Sequence, residues 1–331
     1  MIPEADLPSA GSVGAAAQIP ISKYERLIAT AKDVPSGKAV VVHPCDETSL
    51  RGAVEAARLG LIDPLLVGPE TKIRDIAYAN KIDIAKFELV DVAHSHAAAA
   101  KAVDLIRAGG GDLLMKGSLH TDELMRAVTA SGTGLRTERR ISHVFVMDVP
   151  TYPETLFLTD AAVNIFPDLD AKRDIVQNAI DLFAGIGLGE PRVAILSAVE
   201  TVTSKIPGTI DAAALCKMAD RGQITGGTLD GPLAFDNAID LQAARIKGIQ
   251  SVVAGRAQIL IVPDLEAGNM LAKNLIYLAK ADSAGLVLGA RVPIVLTSRA
   301  DSVRSRMASC AVAVLYAAAR RGVKIVSAAR V

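Results

Sequence analysis

From residue 21 onward, short apolar runs rich in β-branched residues alternate with segments of helical periodicity, and this rhythm narrows the fold more than any other feature. KAVVVHP (38–44) reads as a strand, SLRGAVEAARLG (49–60) as a helix closed by Gly60, PLLVG (64–68) as a strand and TKIRDIAYANK (71–81) as a helix. FELVD (87–91), HSHAAAAKAVDLIRAGGG (94–111), DLLMKGS (112–118) and a helix from about Thr121 continue the pattern. Such alternation makes an α/β fold of mostly parallel sheets flanked by helices, with ligands beyond the carboxyl ends of the strands. The texture changes at VPTYPETLFLTDAAVNIFPDLDA (149–171), where Pro, Asp and Thr accumulate as at a crossing between domains that leads into new strands. A second set follows: helix 171–187, strand 192–198, helices 211–221 and 236–247, strand 257–264 and helix 267–280. Strands 285–289 and 292–296, a helix to about Arg321 and a strand at 323–329 complete the chain.

At 331 residues the chain exceeds the roughly 250–300 over which one core keeps growing, so two domains are expected. Half the residues are apolar but only 3% are aromatic and there is no Trp, so Ala, Val, Leu and Ile must build the cores. The 36 basic and 36 acidic residues cancel, which argues against a general binder of nucleic acid or membrane surfaces. Any anionic ligand must therefore be held by a local cluster. Cys45, Cys216 and Cys310 are far apart and show no C-x-x-C spacing, which fits a reducing cytoplasm. No apolar run approaches the roughly 18 residues of a membrane span. Residues 1–20 have no basic stretch before an apolar core and read as a flexible tail or linker.

Five stretches could carry chemistry. In MKGSLHTDELMRAV (115–128) a strand ends at Lys116-Gly117-Ser118 and a helix opens at Thr121; exposed amides, the helix dipole and Lys116 make an anion site, or else an ordinary turn with acidic residues after it. In GLRTERRISHVFVMD (134–148), Arg136, Arg139 and Arg140 are either a phosphate clamp or a solvated face. ITGGTLDGPLAFDNAI (224–239) lacks the spacing of a nucleotide loop and indicates a sharp bend or a close backbone approach. VPDLEAGNMLAKNL (262–275), with Gly268 and Asn269, is a strand-end ligand site or a capped connection. In VPIVLTSRADSVRSRMAS (292–309) a strand runs into a helix, with Ser298 and Asp301 spaced like a capping box, so the joint is a cap, a reactive site, or both.

Taken in order, KGSLHTDELMRAV, RRISHVFVMD, LFLTDAAVNIFPDLDAK, ADRGQITGGTLDGPLAFDNAI, VAGRAQILIVPDLEAGNMLAKNL and LTSRADS resemble the phosphate acetyltransferase and phosphate butyryltransferase family, from about residue 21 to the end. The resemblance implies reversible transfer of a short acyl group, acetyl as the expected one, between CoA and phosphate, with no metal, no tightly bound cofactor and CoA as a substrate. It implies two α/β domains of the isopropylmalate dehydrogenase kind around an active-site cleft, in a cytoplasmic homodimer. Domain one would be 21–150 plus 285–331 and domain two 151–284, leaving 1–20 outside as the remnant of a linker to the hydratase fused to some relatives. In the family's terms Ser298 hydrogen-bonds the reacting sulfur or carbonyl oxygen and Arg299 binds the phosphoryl group. Lys116, His120, Thr121, Arg126, Arg140 and Asn269 would hold substrate. Two departures stand out. Acetyl-specific members carry a catalytic aspartate where this chain has Ser305, so Asp301, part of the TSRADS form of the butyryl branch, is either a replacement base or only a cap partner. Another family arginine falls at Tyr277, with Lys280 or Arg291 as substitutes. Transfer of a longer acyl chain, a non-catalytic CoA-binding regulator, and a dehydrogenase of the same fold are the alternatives. For the last, neither the arginine-rich substrate motif nor paired metal aspartates are found.

Overall fold

Ser22 caps the first helix: its hydroxyl accepts from Glu25 N while the Glu25 carboxylate accepts from Ser22 N, a reciprocal pairing that satisfies two otherwise orphaned amides. A computed structural model describes residues 22–296 and 302–325. After helix α1 (Lys23–Lys32) come β1 (Gly37–Val42), α2 (Glu47–Arg58), β2 (Ile62–Gly68), α3 (Glu70–Ala79), β3 (Glu88–Asp91), α4 (Ser95–Arg107), β4 (Leu113–Lys116), α5 (Thr121–Thr129), β5 (Ser142–Asp148) and β6 (Leu156–Thr159). Then follow α6 (Leu169–Gly185), β7 (Arg192–Leu196), α7 (Pro207–Asp220), β8 (Thr228–Leu233), α8 (Phe235–Ile239), α9 (Leu241–Ile246), β9 (Ile259–Ile261), α10 (Leu265–Tyr277), β10 (Asp282–Leu288), β11 (Ile294–Val295) and α11 (Val303–Arg320).

Among the described residues the strands join one sheet in the order β3-β2-β1-β4-β11-β10-β5-β6-β9-β7-β8. Most neighbours are parallel, as βαβ alternation requires. The exceptions are in the middle, where β10 runs antiparallel to both β11 and β5, and β5 antiparallel to β6. Two reversals leave β5 pointing the same way as β4 and β11, and the third turns β6, β9, β7 and β8 the opposite way. The sheet therefore has two parallel halves whose carboxyl ends lie at opposite edges.

Helix α11 is buried from Ser305 to Leu315, with Met307, Cys310, Ala311, Val314 and Leu315 at 5% exposure or less, and exposed at both ends. It packs on β10 and against α1, α2 and α6; its small Ala side chains permit that approach from several sides. α1 in turn grips the carboxyl end of β5. Lys23 Nζ lies 2.9 Å from Asp148 Oδ1 and donates to the carbonyls of Val149 and Tyr152, and the buried Tyr24 hydroxyl donates to Val146 O at 2.5 Å.

Several expected elements differ. The helix expected over 236–247 is two, because Asp240 takes an extended conformation and caps α9 by accepting from Ala243 N. Residues 224–239 contain a strand, β8, in which Gly231 lies so close to β7 that a Cβ would stand 2.7 Å from Ile195 Cβ. α11 begins later than the Ser298–Asp301 spacing suggests: its cap is Ser302, whose hydroxyl accepts from Ser305 N at 3.1 Å. Of the strand expected at 323–329, residues 323–325 carry none and 326–329 lie outside the described residues.

Tyr24→Phe removes the donor to Val146 O inside the core and should lower unfolding free energy by about 1–2 kcal/mol. Urea titration should show the midpoint falling with an unchanged slope; an unchanged midpoint would contradict the role given to this hydroxyl.

Candidate active site

The carboxyl edge of the first half-sheet is built by three neighbouring parallel strands. Register pairs Val42 of β1 with Lys116 of β4, and Met115 with Val295 of β11, so Leu296 is level with Lys116 and Val42, one residue before His43 and Gly117 leave the sheet side by side. Gly117 N donates to Val42 O and Ser118 N to His43 O, each at 2.9 Å. The Ser118 hydroxyl donates to His43 O, accepts from Cys45 N at 3.2 Å and lies 3.0 Å from His43 Nδ1. Gly117 is obligatory in this seam, since a Cβ there would sit 2.4 Å from Val42 O. Lys116 is only 4% exposed, with Nζ donating to Gly117 O at 3.3 Å. His120 is the backbone cap residue of α5, and Thr121 and Asp122 stand exposed in its first turn. A buried ammonium and a helix amino terminus thus meet at the edge where β11 ends, and both favour an anion.

Arg126, one turn further along α5, lines a cavity of about 300 Å³ between α4 and α5 together with His96, Val103, Asp104, Glu123 and Ala130. Glu123 Oε2 is buried without a hydrogen bond and lies 3.7 Å from His96 Nδ1. A hydrogen bond from Ser95 holds the Glu123 carboxyl below the usual carboxylate range, aided by the nearby His96, His120 and His43 against the opposing effect of burial. His43 is itself pushed down, first by burial and then by Lys72.

A second polar group surrounds Asp160, which follows β6 and is 3% exposed. Its Oδ1 accepts from Ala162 N and Val163 N. Its Oδ2 accepts from His143 N, Asn164 N and the Asn164 amide, the last at 2.6 Å. The Asn164 amide also donates to Ile141 O, and its oxygen accepts from Arg140 Nε at 2.9 Å. Arg140 is further fixed through its backbone by Asp174 and Asn178. From α10, Asn269 donates to Ala161 O at 3.2 Å, and Gly268 lies where a Cβ would approach Asp160 O to 2.8 Å. Sequence reasoning did not single out Asp160 or Asn164. The one signal was their spacing in TDAAVN, which suits a carboxylate closing a turn on the following amides.

The strand directions separate these groups. Across the ladder, Leu114 is level with Ile294, Val287 and His143, so Lys116 is level with Phe145, whereas Arg140 precedes the other end of β5. Lys116, His120, Thr121 and Arg126 thus gather on one edge, and Arg140 and Asn269 gather around Asp160. Leu296 stands between: it is flanked by Lys116 on the β4 side, and its N–H donates to Gly285 O of β10. A Cβ on Gly285 would lie 2.9 Å from Leu296 O and 3.0 Å from His143 Nε2. Ser298, Arg299 and Asp301 lie outside the described residues. The three thiols offer no nucleophile at neutral pH, because burial pushes Cys45 up to about 11 and Cys216 and Cys310 up to about 12.

Residues 94–314 match the profile of the family described as Phosphate acetyl/butaryl transferase. The chain is 75% identical over 304 residues to the phosphate acetyltransferase of Rhizobium meliloti, covering 92% of this chain and 96% of that protein. It is 40% identical over 295 residues to the phosphate butyryltransferase of Clostridium beijerinckii, covering 89% and 98%. The crystal structure of a branched-chain phosphotransacylase from Enterococcus faecalis superposes with a TM-score of 0.74 at 28% identity, over 85% of this chain and 99% of that one. The chain belongs to the phosphate acetyl/butyryl transferase family.

Buried His143 yields a pH test. Burial drives its imidazole down to about 4, while Asp160 pulls the other way. Between that value and the ordinary 6.5 the unfolded chain binds the proton and the native one does not, so native stability falls as pH drops through this window. The loss attributable to this ring should be on the order of 2–3 kcal/mol. Denaturant unfolding at pH 7 and pH 4.5 should show a smaller drop in His143→Gln than in the parent; an equal drop would contradict a neutral, buried ring.

Proposed function

We propose that this chain catalyses acyl-CoA + phosphate = acyl phosphate + CoA, with acetyl as the acyl group. The observation that carries the reading is the 75% identity to a phosphate acetyltransferase over nearly the full length of both chains. In the forward direction a phosphate oxygen attacks the thioester carbonyl and the CoA sulfur leaves as thiolate; in reverse the thiolate attacks the acyl phosphate carbonyl. A free thiol with pKa about 8.5 is only a few per cent ionised at pH 7, so the site must favour the thiolate electrostatically or supply a base.

In this reading Arg299 offsets the charge that develops on the phosphoryl group and carbonyl oxygen, and Ser298 hydrogen-bonds the sulfur or that oxygen. Asp301 is the candidate base. Lys116, His120 and Thr121 hold phosphate at the edge where β4 and β11 end, and Arg126 holds a phosphate of CoA. Arg140 and Asn269 bind substrate from the Asp160 side. Supporting this arrangement are the buried ammonium of Lys116 next to Leu296 and the amino terminus of α11, which opens at Val303 directly after the Ser298–Asp301 joint. The domains are 21–150 plus 285–331, and 151–284, with the cleft between them. The protein works in the cytoplasm as a homodimer, without a tightly bound cofactor. Among the described residues no helix is long and apolar enough to cross a membrane.

Thiol release from acetyl-, propionyl- and butyryl-CoA should depend on phosphate and be fastest with acetyl-CoA. CoA binding without release would leave a non-catalytic regulator, and fastest release from butyryl-CoA would shift the substrate to the longer chain. Arg299→Ala should lower kcat by about 10²–10³ with the fold intact, as for loss of one preorganised donor. Arg299→Lys should recover little, since an ammonium cannot reproduce the guanidinium fork; near-parental turnover in Arg299→Ala would remove this residue from the chemistry.

Asp301→Asn separates base from bystander. A base should lose about 10²–10⁴ in kcat together with the acidic limb of the pH profile, whereas an unchanged profile would leave thiolate formation to the positive field alone.

A further inference from the structure

The two faces of the sheet are covered differently. On the face of α11, the buried apolar residues of α1, α2, α6, α7 and α11 form one core that runs across the sheet from Val41 of β1 to Val193 of β7. On the opposite face the described residues form two: Leu114, Val287 and Ile294 pack with α4 and α5, whereas Met147, Leu158 and Leu260 pack with α8, α9 and α10. The break between these cores falls on the row that register aligns as Lys116, Leu296, Gly285 and Phe145, which share one face. Half-buried Leu296 packs on the edge of the first core and half-buried Phe145 on the edge of the second. They stand on either side of Gly285, about 10 Å apart at the backbone by the usual strand spacing, and Gly285 puts no side chain between them. The floor is the imidazole of His143, 2% exposed. It packs T-shaped against Phe145 with ring centroids 4.4 Å apart and leans over Gly285, where a Cβ would lie 3.0 Å from its Nε2.

We infer that the acyl chain of the substrate lies in this slot between Leu296 and Phe145, and that His143 closes its floor and so sets the longest chain that fits. The inference rests on the acyl-transfer reading and names the part of the site that selects the acyl group. In the reaction the acyl carbon is bonded in turn to the CoA sulfur and to a phosphate oxygen. Its chain must therefore leave the point where those two meet, at the carboxyl end of β4 and β11. Lys116, His120 and Thr121 lie to one side of that point, and the polar group of Asp160, Asn164 and Arg140 lies to the other. The slot is the apolar stretch between them, and apolar walls favour a hydrocarbon chain. A methyl group needs only the mouth, whereas the two further methylenes of butyryl would run into the imidazole. An uncharged ring suits a floor that touches hydrocarbon, and burial keeps this one neutral at pH 7.

The test is kcat/KM for acetyl-CoA and for butyryl-CoA, measured as phosphate-dependent thiol release on one preparation, because their ratio does not depend on how much of a variant is folded. His143→Ala lowers the floor and should raise the butyryl-to-acetyl ratio by about tenfold or more, since one methylene in an apolar pocket discriminates by roughly 10–200-fold. Leu296→Ala cuts back a half-buried wall and should move the ratio in the same direction by less. An unchanged ratio in His143→Ala, or in Leu296→Ala if the first variant yields no active protein, would overturn the slot and leave acyl transfer in place. A parent protein with no phosphate-dependent thiol release from either substrate would overturn the acyl-transfer reading itself.

Discussion

The buried carboxylate of Asp160 is the constraint on which the middle of the structure depends. A carboxylate removed from water is costly unless its lone pairs are met, and here five donors meet them: three from the following turn, one from β5 and one from the Asn164 amide. Together these bonds lock the end of β6 onto β5 at the point where the sheet reverses. Asn164 passes the order on to Arg140 and Ile141, and the close seat of Gly268 brings α10 against the same turn. The direction of half the sheet, the position of a guanidinium and the seating of a helix thus share one anchor.

Local patterning made much of the fold legible. β1, α2, β2, α3 and α4 were readable because each has its own periodicity and a Gly or cap residue at its end. The helix expected at 236–247 failed at Asp240, where a side-chain cap competes with continuation of the helix. β8 was hidden because Gly231 and Pro232 look like a turn until a neighbouring strand is close enough to require a glycine. The reversals at β10, β5 and β6 were not legible at all, since apolar runs such as Val144–Met147 read the same whichever way their neighbours run.

The candidate site divides in the same way. Lys116, His120, Thr121 and Arg126 could be listed together because a strand and the next helix carry them, and chain proximity becomes spatial proximity. Arg140 and Asn269 come from separate stretches: Arg140 precedes β5 and Asn269 follows the reversed β9, so both fall at the other end of the strands, on the Asp160 side of Leu296. Asp160 itself was overlooked because an acid in a Pro- and Thr-rich stretch looks solvated; its burial follows only from the packing of β5, β6 and α10 around it. The Ser298–Asp301 spacing was legible as a joint between strand and helix, yet the cap of α11 falls on Ser302.

Acyl transfer at the shared edge of β1, β4 and β11 is the central claim, and a crystal structure of the protein with CoA and phosphate tests it most directly. The CoA sulfur is expected beside Lys116 and the carboxyl end of β11, with phosphate within reach of Lys116 and Thr121 and a CoA phosphate on Arg126. A CoA molecule bound with its sulfur away from Leu296, and no anion at the Lys116 edge, would contradict the account.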